Sequence, residues 1–154
     1  MNIGSNNGGV AGRLSNFTPR KFIFDGIECN SMEGLLQSFK FDKEHIQIEV
    51  CKLVGLAAKR RGQKRNKAWK SIQTLWWKGK SYKRNSKEYQ NLLDRAFEAL
   101  FTNKKFKNDL LSTNNAILNH SIGKSKIQDT VLTEKEFCNR LMKLRDKNIG
   151  KDEK

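Results

Sequence analysis

Apolar side chains recur at helical spacing through most of the chain, and this pattern limits the fold more than any other feature. The segment after Ser31 is typical, because its apolar residues stand at i, i+3, i+4 and i+7: Met32, Leu35, Leu36 and Phe39. Comparable stripes predict three further helices, over residues 44–59, 86–101 and 106–111. Thr133 followed by Glu136 is a capping box that predicts the start of a last helix. The chain is therefore expected to be mostly helical.

Extended structure is predicted at one place, near the N-terminus. In KFIFDGIECN, Phe22 and Phe24 lead into Asp25-Gly26, a dipeptide that favours the tight turn of a β-hairpin. The expected fold class is α+β, predominantly helical, with this small N-terminal hairpin. One compact domain should cover residues 13–147, between a flexible Gly- and Asn-rich N-terminus, 1–12, and a charged tail, 148–154.

The composition fits one globular domain and argues against a membrane protein. A chain of 154 residues with 36% hydrophobic content and nine phenylalanines can fill one core. Its apolar runs are far shorter than the ~20 residues that cross a bilayer, and its first residues lack the charged-then-apolar order of a signal peptide. We expect a soluble, cytoplasmic protein without a membrane partner. The sequence does not set its oligomeric state.

The cysteines and histidines give no sign of a cross-linked or metal-binding fold. The three cysteines, Cys29, Cys51 and Cys138, are an odd number without a CxxC pair. The two histidines, His45 and His120, are far apart in the sequence and complete no zinc-binding spacing. Neither a disulfide framework nor a metal site is predicted, and no cofactor is expected.

Positive charge is concentrated in one part of the chain. The formal net charge is +15, and no Asp or Glu occurs between Lys52 and Lys87. Basic groups interleaved with aromatic rings are typical of surfaces that bind phosphates and stack on bases. The candidate nucleic-acid contacts in this window are Lys59, Arg60, Arg61, Lys64, Arg65, Lys78 and Lys80. The alternative is a solvated lysine-rich face, and composition alone does not decide between the two.

Polar residues follow one edge of the helix predicted after Ser31. Glu33, Gln37 and Lys40 share that edge, and Ser31 is the expected N-cap. A first-turn glutamate is favoured as a carboxylate by the helix dipole, so Glu33 could be a nucleophile, a general base or an anchor for sugar hydroxyls. It could be a general acid only if burial raised its pKa by more than the helix dipole lowers it. Lys40 could hold a phosphate. The alternative is a glutamate that only stabilises its helix.

The stretch LSNFTPRKFIFDGIECNSMEGLLQSFKF, residues 14–41, resembles the opening signature of the NADAR family, the YbiA-like proteins associated with NAD and ADP-ribose metabolism. An SNF motif, a DG turn, a Ser-x-Glu and a Gln-x-x-Lys-Phe follow in the family's order. The matching residues are Ser15, Asn16, Phe17, Asp25, Gly26, Ser31, Glu33, Gln37, Lys40 and Phe41. DRAFEALFTNKKFKNDLLST and FCNRLMKLR are similar to later helical segments of the family. The resemblance implies a YbiA-like domain.

The same resemblance implies an activity. Members of the family cleave N-glycosidic bonds of ribosyl compounds, including riboflavin-pathway intermediates and ADP-ribose attached to guanine, and a glutamate at the position of Glu33 is essential. The expected function is that of an N-glycosidase, an ADP-ribosyl hydrolase that removes ADP-ribose from guanine in nucleic acid, because the basic window favours a polymeric partner. The alternatives are a glycosidase for small ribosylamines and a non-catalytic protein that binds ADP-ribose, a nucleotide or DNA. Metal is not required for this chemistry.

Parts of the family pattern are missing here. The family's tryptophan before its central helix is replaced by Asn85-Ser86-Lys87, and its Trp-Gly and Gly-x-Asn-x-x-Gly stretches are absent. Trp77 could supply a stacking ring instead, and Asp129 and Glu134 are possible second carboxylates. The candidate ligand contacts are Asn16, Phe17, Ser31, Gln37, Lys40, Trp77, Arg84 and His120, with Glu33 as the catalytic residue. Lys-, Asn- and Ile-rich composition suits an AT-rich bacterial or phage genome; whether the nucleic acid is DNA or RNA stays open.

Overall fold

This computed structural model describes residues 1–149. Within them, the chain forms eight α-helices, one short 3-10 helix (Ile127–Asp129) and two antiparallel β-hairpins. The helices are α1 Gly9–Arg13, α2 Met32–Ser38, α3 Glu44–Cys51, α4 Gly55–Gln63, α5 Asn66–Ile72, α6 Lys87–Leu100, α7 Lys104–Leu111 and α8 Glu134–Asn148. The strands are β1 Phe22–Phe24, β2 Ile27–Cys29, β3 Thr74–Trp77 and β4 Lys80–Lys83. The prediction of a predominantly helical α+β fold with a small N-terminal hairpin is confirmed.

Helices α2 and α6 supply the centre of the core. All residues of α2 except Glu33 are buried, and α6 buries one complete face that includes Tyr89 and Phe97. The Phe39 ring, just after α2, meets the edge of Tyr89 at 6.3 Å between ring centroids and the edge of Trp77 at 5.5 Å. Because α2 is surrounded in this way, Glu33 is the one residue of that helix that is only partly buried.

The N-terminal hairpin is anchored through its turn. Asp25 and Gly26 have φ angles of 49° and 81°, the left-handed pair that an Asp-Gly turn favours. The Asp25 carboxylate accepts a hydrogen bond from Trp77 Nε1 at 2.8 Å and pairs with Arg95 at 2.8 Å. These contacts tie the hairpin turn to strand β3 and helix α6.

The second hairpin is absent from the sequence-based prediction, which was wrong to confine extended structure to the N-terminus. Strands β3 and β4 pair from Thr74 with Lys83 to Trp77 with Lys80. The turn residues Lys78 and Gly79 have φ angles of 48° and 85°. A short Lys-Gly turn between two aromatic-rich runs was the available signal.

The helix predicted over residues 44–59 is two helices. Helix α3 ends at Cys51, and α4 begins at Gly55, whose φ of +54° breaks the helical path. The break presents carbonyl groups to the start of α2: the backbone N–H of Asn30 donates to Cys51 O at 2.9 Å, and Ser31 Oγ donates to Leu53 O at 2.9 Å. The connection between α3 and α4 therefore holds the helix that carries Glu33.

Close packing at Gly34 gives a testable consequence. A Cβ added there would lie 2.6 Å from Leu53 O and 2.9 Å from Val50 O, both backbone atoms that cannot rotate away. The strain should exceed the helix-propensity gain of about 1 kcal/mol. We expect Gly34→Ala to lower the free energy of unfolding by about 2 kcal/mol, measured by urea denaturation. Gly8→Ala, where nothing lies within 4 Å of the added Cβ, is the control and should cost less than about 1 kcal/mol. Equal losses in both variants would contradict the packing argument.

The first residues of the chain contact the rest of the protein. Asn2 forms a parallel bridge with Asn119, Ile3 is fully buried, and α1 begins at Gly9. The flexibility predicted for residues 1–12 stays a prediction. Residues 150–154 of the predicted charged tail lie outside the described part. Within residues 1–149, none of the helices has the length and apolar content needed to span a membrane.

Candidate active site

A cleft of about 370 Å³ opens between α2, helices α4 and α5, and the loop that precedes α8. It gathers residues from distant parts of the sequence. Seven of the predicted site residues line it, namely Asn16, Phe17, Glu33, Gln37, Lys40, Lys59 and His120. The cleft thus brings together the SNF motif, the polar edge of α2 and one end of the basic window.

Glu33 is held in place by backbone and side-chain contacts at the start of α2. Ser31 Oγ accepts the N–H of Gly34 at 3.0 Å, which caps the helix, and the N–H of Glu33 donates to Asn16 O at 3.1 Å. Gln37 Nε2, one turn later, donates to Glu33 Oε1 at 3.0 Å. The carboxyl therefore has a fixed position on the cleft wall.

The pKa of Glu33 is raised above its ordinary value, mainly by burial. The hydrogen bond from Gln37 and the nearby charges of Lys40, Lys59 and His120 act in the opposite direction without cancelling it. This direction is the reverse of the one expected from the first-turn position alone. A raised pKa makes a carboxylate a stronger proton acceptor than an exposed glutamate.

Lys40 lies two residues beyond the end of α2 and lines the same cleft as Glu33. Its Nζ donates to Asn66 Oδ1 at 2.6 Å, and its side chain is only 6% exposed. Burial lowers the pKa of Lys40 to about 8, a shift that the charge of Glu33 opposes. A lysine with this pKa is largely cationic at neutral pH and loses its charge a few pH units earlier than an exposed lysine.

Helix α5 contributes two cleft residues that were not predicted as ligand contacts. Trp69 is fully buried and donates from Nε1 to Asn66 Oδ1 at 3.3 Å, so Asn66 links the indole to Lys40. The aromatic residues inside the basic window were the available signal for Trp69. No pattern in the sequence indicates Asn66, because it joins the site only through its tertiary contact with Lys40, 26 residues earlier in the chain.

The segment before α8 forms another wall of the cleft. His120, Lys124 and Asp129 line the cleft from this segment. Of the two possible second carboxylates noted in the sequence, Asp129 lines the cleft and Glu134 does not. The cleft therefore has two acids, Glu33 and Asp129, among several cations, which is an arrangement that can bind an anionic ligand and still offer groups for proton transfer.

Comparison with known proteins places this chain in a family. Residues 8–146 match the family described as bacteriophage protein GP30.3. The chain belongs to this family. An Enterobacteria phage T4 protein, described as an uncharacterized 17.1 kDa protein in the Gp30-rIII intergenic region, is 38% identical over 135 residues, which are 86% of this chain and 88% of the T4 protein.

The GP30.3-family chain is also similar to a solved structure. The NMR structure of the Escherichia coli protein YbiA matches it with a TM-score of 0.61 and 18% sequence identity, covering 96% of this chain and 83% of YbiA. The chain therefore has the YbiA fold, and the prediction of a divergent YbiA-like domain is confirmed.

Three predicted ligand contacts of this GP30.3-family protein lie outside the cleft lining. Ser31 is fully buried as the N-cap of α2. Trp77 is 2% exposed and stacks on Phe24 in the core, because alternate residues of β3 face inward. Arg84 is 1% exposed and forms a bidentate pair with Glu136. Their contacts give them structural roles.

The predicted nucleic-acid contacts are spread over more than one surface. Lys59 lies at the cleft, and Arg60 and Lys64 are exposed nearby on α4 and just after it. Arg61 and Arg65 lie over the Phe41 ring at 5.0 and 5.8 Å. Lys78 and Lys80 belong to the second hairpin, where Lys78 Nζ donates to Asp25 O at 2.8 Å and Lys80 Nζ lies 5.0 Å from the Tyr82 ring centroid.

Proposed function

We propose that this chain is an N-glycosidase that hydrolyses the bond between a ribose and a base, and that it removes ADP-ribose from guanine in nucleic acid. The observation that carries the proposal is the position of Glu33: its carboxyl lies in a cleft of nucleotide size that Lys40, just after the same helix, also lines. The YbiA fold and the matching Ser-x-Glu motif support the same chemistry. A phage T4 relative is consistent with action in the cytoplasm of an infected host.

The reaction needs groups that stabilise the positive charge that develops on the sugar. As the base departs with the bonding electrons, positive charge develops at the ribose C1 atom, and water attacks that carbon. Glu33 takes up the proton that the attacking water loses, and its carboxylate stabilises the positive centre. The hydrogen bond from Gln37 Nε2 to Glu33 Oε1, at 3.0 Å, orients the carboxyl for this step.

Cations around the cleft supply binding for phosphates. Lys40, Lys59 and Lys124 line it, and the charges of Lys59, Lys70 and Lys124 all act on Lys40. A diphosphate such as that of ADP-ribose would be neutralised by two of these lysines. The exposed Arg60 and Lys64 extend the positive surface away from the cleft, which favours a ligand that continues as a polymer.

The test is a comparison of two substrates. The protein should release ADP-ribose from an oligonucleotide that carries ADP-ribosylated guanine, and the rate should fall steeply as salt rises from about 50 to 200 mM. Release only from free riboflavin-pathway ribosides, without a salt dependence, would favour a small-molecule glycosidase. Binding of ADP-ribose without any release of base would favour a non-catalytic protein.

Lys40 gives a prediction for ligand binding. ADP-ribose should bind less tightly as pH rises through about 8, because the Lys40 ammonium that pairs with phosphate is lost above its pKa. Dissociation constants from titration calorimetry at pH 6.5, 7.5 and 9 would measure the effect. In Lys40→Arg the charge persists, so the pH dependence should be nearly flat. A wild-type affinity that stays constant from pH 6.5 to 9 would contradict the assignment of Lys40 to phosphate.

A further inference from the structure

The amino-terminal residues pair with the segment that enters the cleft loop. The N–H of Ile3 donates to Asn119 O at 2.8 Å, and the N–H of Asn119 donates to Met1 O at 2.9 Å. Asn2 Nδ2 donates to Ser121 Oγ at 2.9 Å, and the N–H of Ser121 donates to Asn2 Oδ1 at 2.9 Å. These contacts fix the backbone on both sides of His120.

The imidazole of His120 is fixed as firmly as its backbone. Its Nδ1 lies 2.7 Å from Ile3 O, and its ring meets the edge of Phe137 at 5.4 Å between centroids. Gly123 packs so closely against it that an added Cβ would lie 2.6 Å from His120 Cδ2. The ring therefore has one orientation on the cleft wall.

The contact with Ile3 determines which ring nitrogen can change its protonation. A carbonyl oxygen only accepts hydrogen bonds, so Nδ1 carries a hydrogen in both the neutral and the charged imidazole. The proton that is gained and lost is then the one on Nε2. His120 lines the same cleft as Glu33, and its charge acts on the Glu33 carboxyl.

We infer that His120 is the general acid of the site, and that the Ile3 carbonyl positions it so that Nε2–H donates a proton to the departing base; the assignment rests on the proposed function. The C1–N bond breaks and its electron pair goes to the base nitrogen, which takes the proton from Nε2. Water adds to C1 and gives its proton to Glu33. Transfer of that proton from Glu33 to Nε2 restores both groups, so the balance is one water consumed and one base and one ribose hydroxyl formed.

The charged groups around the imidazole come from three elements. Glu33 faces it from α2, Lys124 follows it in the same loop, and Glu134 of α8 accepts the backbone N–H of His120 at Oε1, at 3.2 Å. Two of these groups are carboxylates, and Lys124 is a cation. Imidazole is the side chain whose ordinary pKa lies closest to neutral pH, which suits it to general acid catalysis.

The decisive variant is His120→Asn. The asparagine amide can take the place of Nδ1–H and keep the hydrogen bond to Ile3 O, while nothing replaces Nε2. We expect kcat on the modified oligonucleotide to fall about 10²–10⁴-fold, ADP-ribose affinity to stay within about twofold, and the wild-type ionisation of the acid to disappear from the pH profile. His45→Asn, on the exposed face of α3, is the matched control and should behave as wild type.

Two results would overturn the inference without touching the proposed function. One is a His120→Asn protein that keeps a wild-type rate and pH profile. The other is an NMR measurement on the intact protein showing that neutral His120 carries its hydrogen on Nε2, a readout that needs no activity. A wild-type protein that releases no base, with Nδ1–H confirmed by NMR, would overturn the proposed function and with it the role of His120 as an acid.

Discussion

Glu33→Gln should lower the rate of base release by about 10²–10⁴-fold and leave ADP-ribose bound nearly as well as before. Glutamine has the size of glutamate, so the cleft keeps its shape and Gln37 keeps a neighbouring oxygen as an acceptor. The amide, however, cannot take a proton from water and carries no negative charge for the sugar centre. The loss should therefore appear in kcat, measured by single-turnover release from the modified oligonucleotide, and not in the dissociation constant.

The chain contains a matched control for this variant. Ser86-Lys87-Glu88 repeats the Ser-x-Glu sequence at the start of α6, and Glu88 is likewise in the first turn of a helix with a serine N-cap. Glu88 is exposed and does not line the cleft. Glu88→Gln should therefore leave the rate unchanged. If Glu33→Gln kept more than about a tenth of the wild-type rate, the proton would have another acceptor, and Asp129 is the other carboxyl at the cleft.

Arg84→Met should lower the free energy of unfolding by about 3–5 kcal/mol, because it leaves a partly buried carboxylate without its cation. Arg84 Nη2 donates to Glu136 Oε1 at 2.6 Å, Nη1 donates to Oε2 at 3.1 Å, and Nε donates to Thr130 O at 2.7 Å. The pKa of Glu136 is below its ordinary value: burial would raise it, but hydrogen bonds, first among them that from Arg84, outweigh burial. Thermal and urea unfolding at pH 7 would measure the loss.

The Arg84–Glu136 pair also makes the stability loss of Arg84→Met depend on pH. Because Glu136 has a lowered pKa in the folded protein, its stabilisation is present above the ordinary glutamate value of 4.5 and is lost as pH falls through the folded-state pKa. The difference between wild type and Arg84→Met should therefore shrink in acid. Arg13→Met is the control, since the Arg13 side chain is 52% exposed and Asp109 keeps Arg20 at 2.7 Å; it should cost less than about 1 kcal/mol. A similar loss in both variants would refute the structural role of Arg84.

Local sequence patterns predicted the elements that are determined by a few neighbouring residues. The stripe of α6, the capping box at Thr133 and the Asp25-Gly26 turn are each encoded within a few neighbouring residues, and each appears in the structure as predicted. The Ser-x-Glu motif located Glu33, and helical spacing placed Gln37 beside it. The helix ends at Ser38, before the predicted Phe41, and Lys40 lines the same cleft from beyond its end.

Features that depend on tertiary packing were not predictable in this way. A periodic apolar pattern runs across Gly55, and only the positive φ of that residue shows that the helix is broken. The sequence does not distinguish Trp69, at the cleft, from Trp77, which stacks on Phe24 in the core, because each role depends on tertiary packing. Asn66 and Lys124 reach the site through loops and short helices with no motif of their own.

The break between α3 and α4 has a consequence for how this chain can change. Residues 52–54 supply a carbonyl group to the cap of α2, and the helix that follows them carries Lys59 to the cleft. Their side chains are at least partly exposed, so substitutions there should change the free energy of unfolding little. A single-residue insertion or deletion would instead shift the cap partner and rotate α4 by about 100°. This connection can vary in composition but is fixed in length.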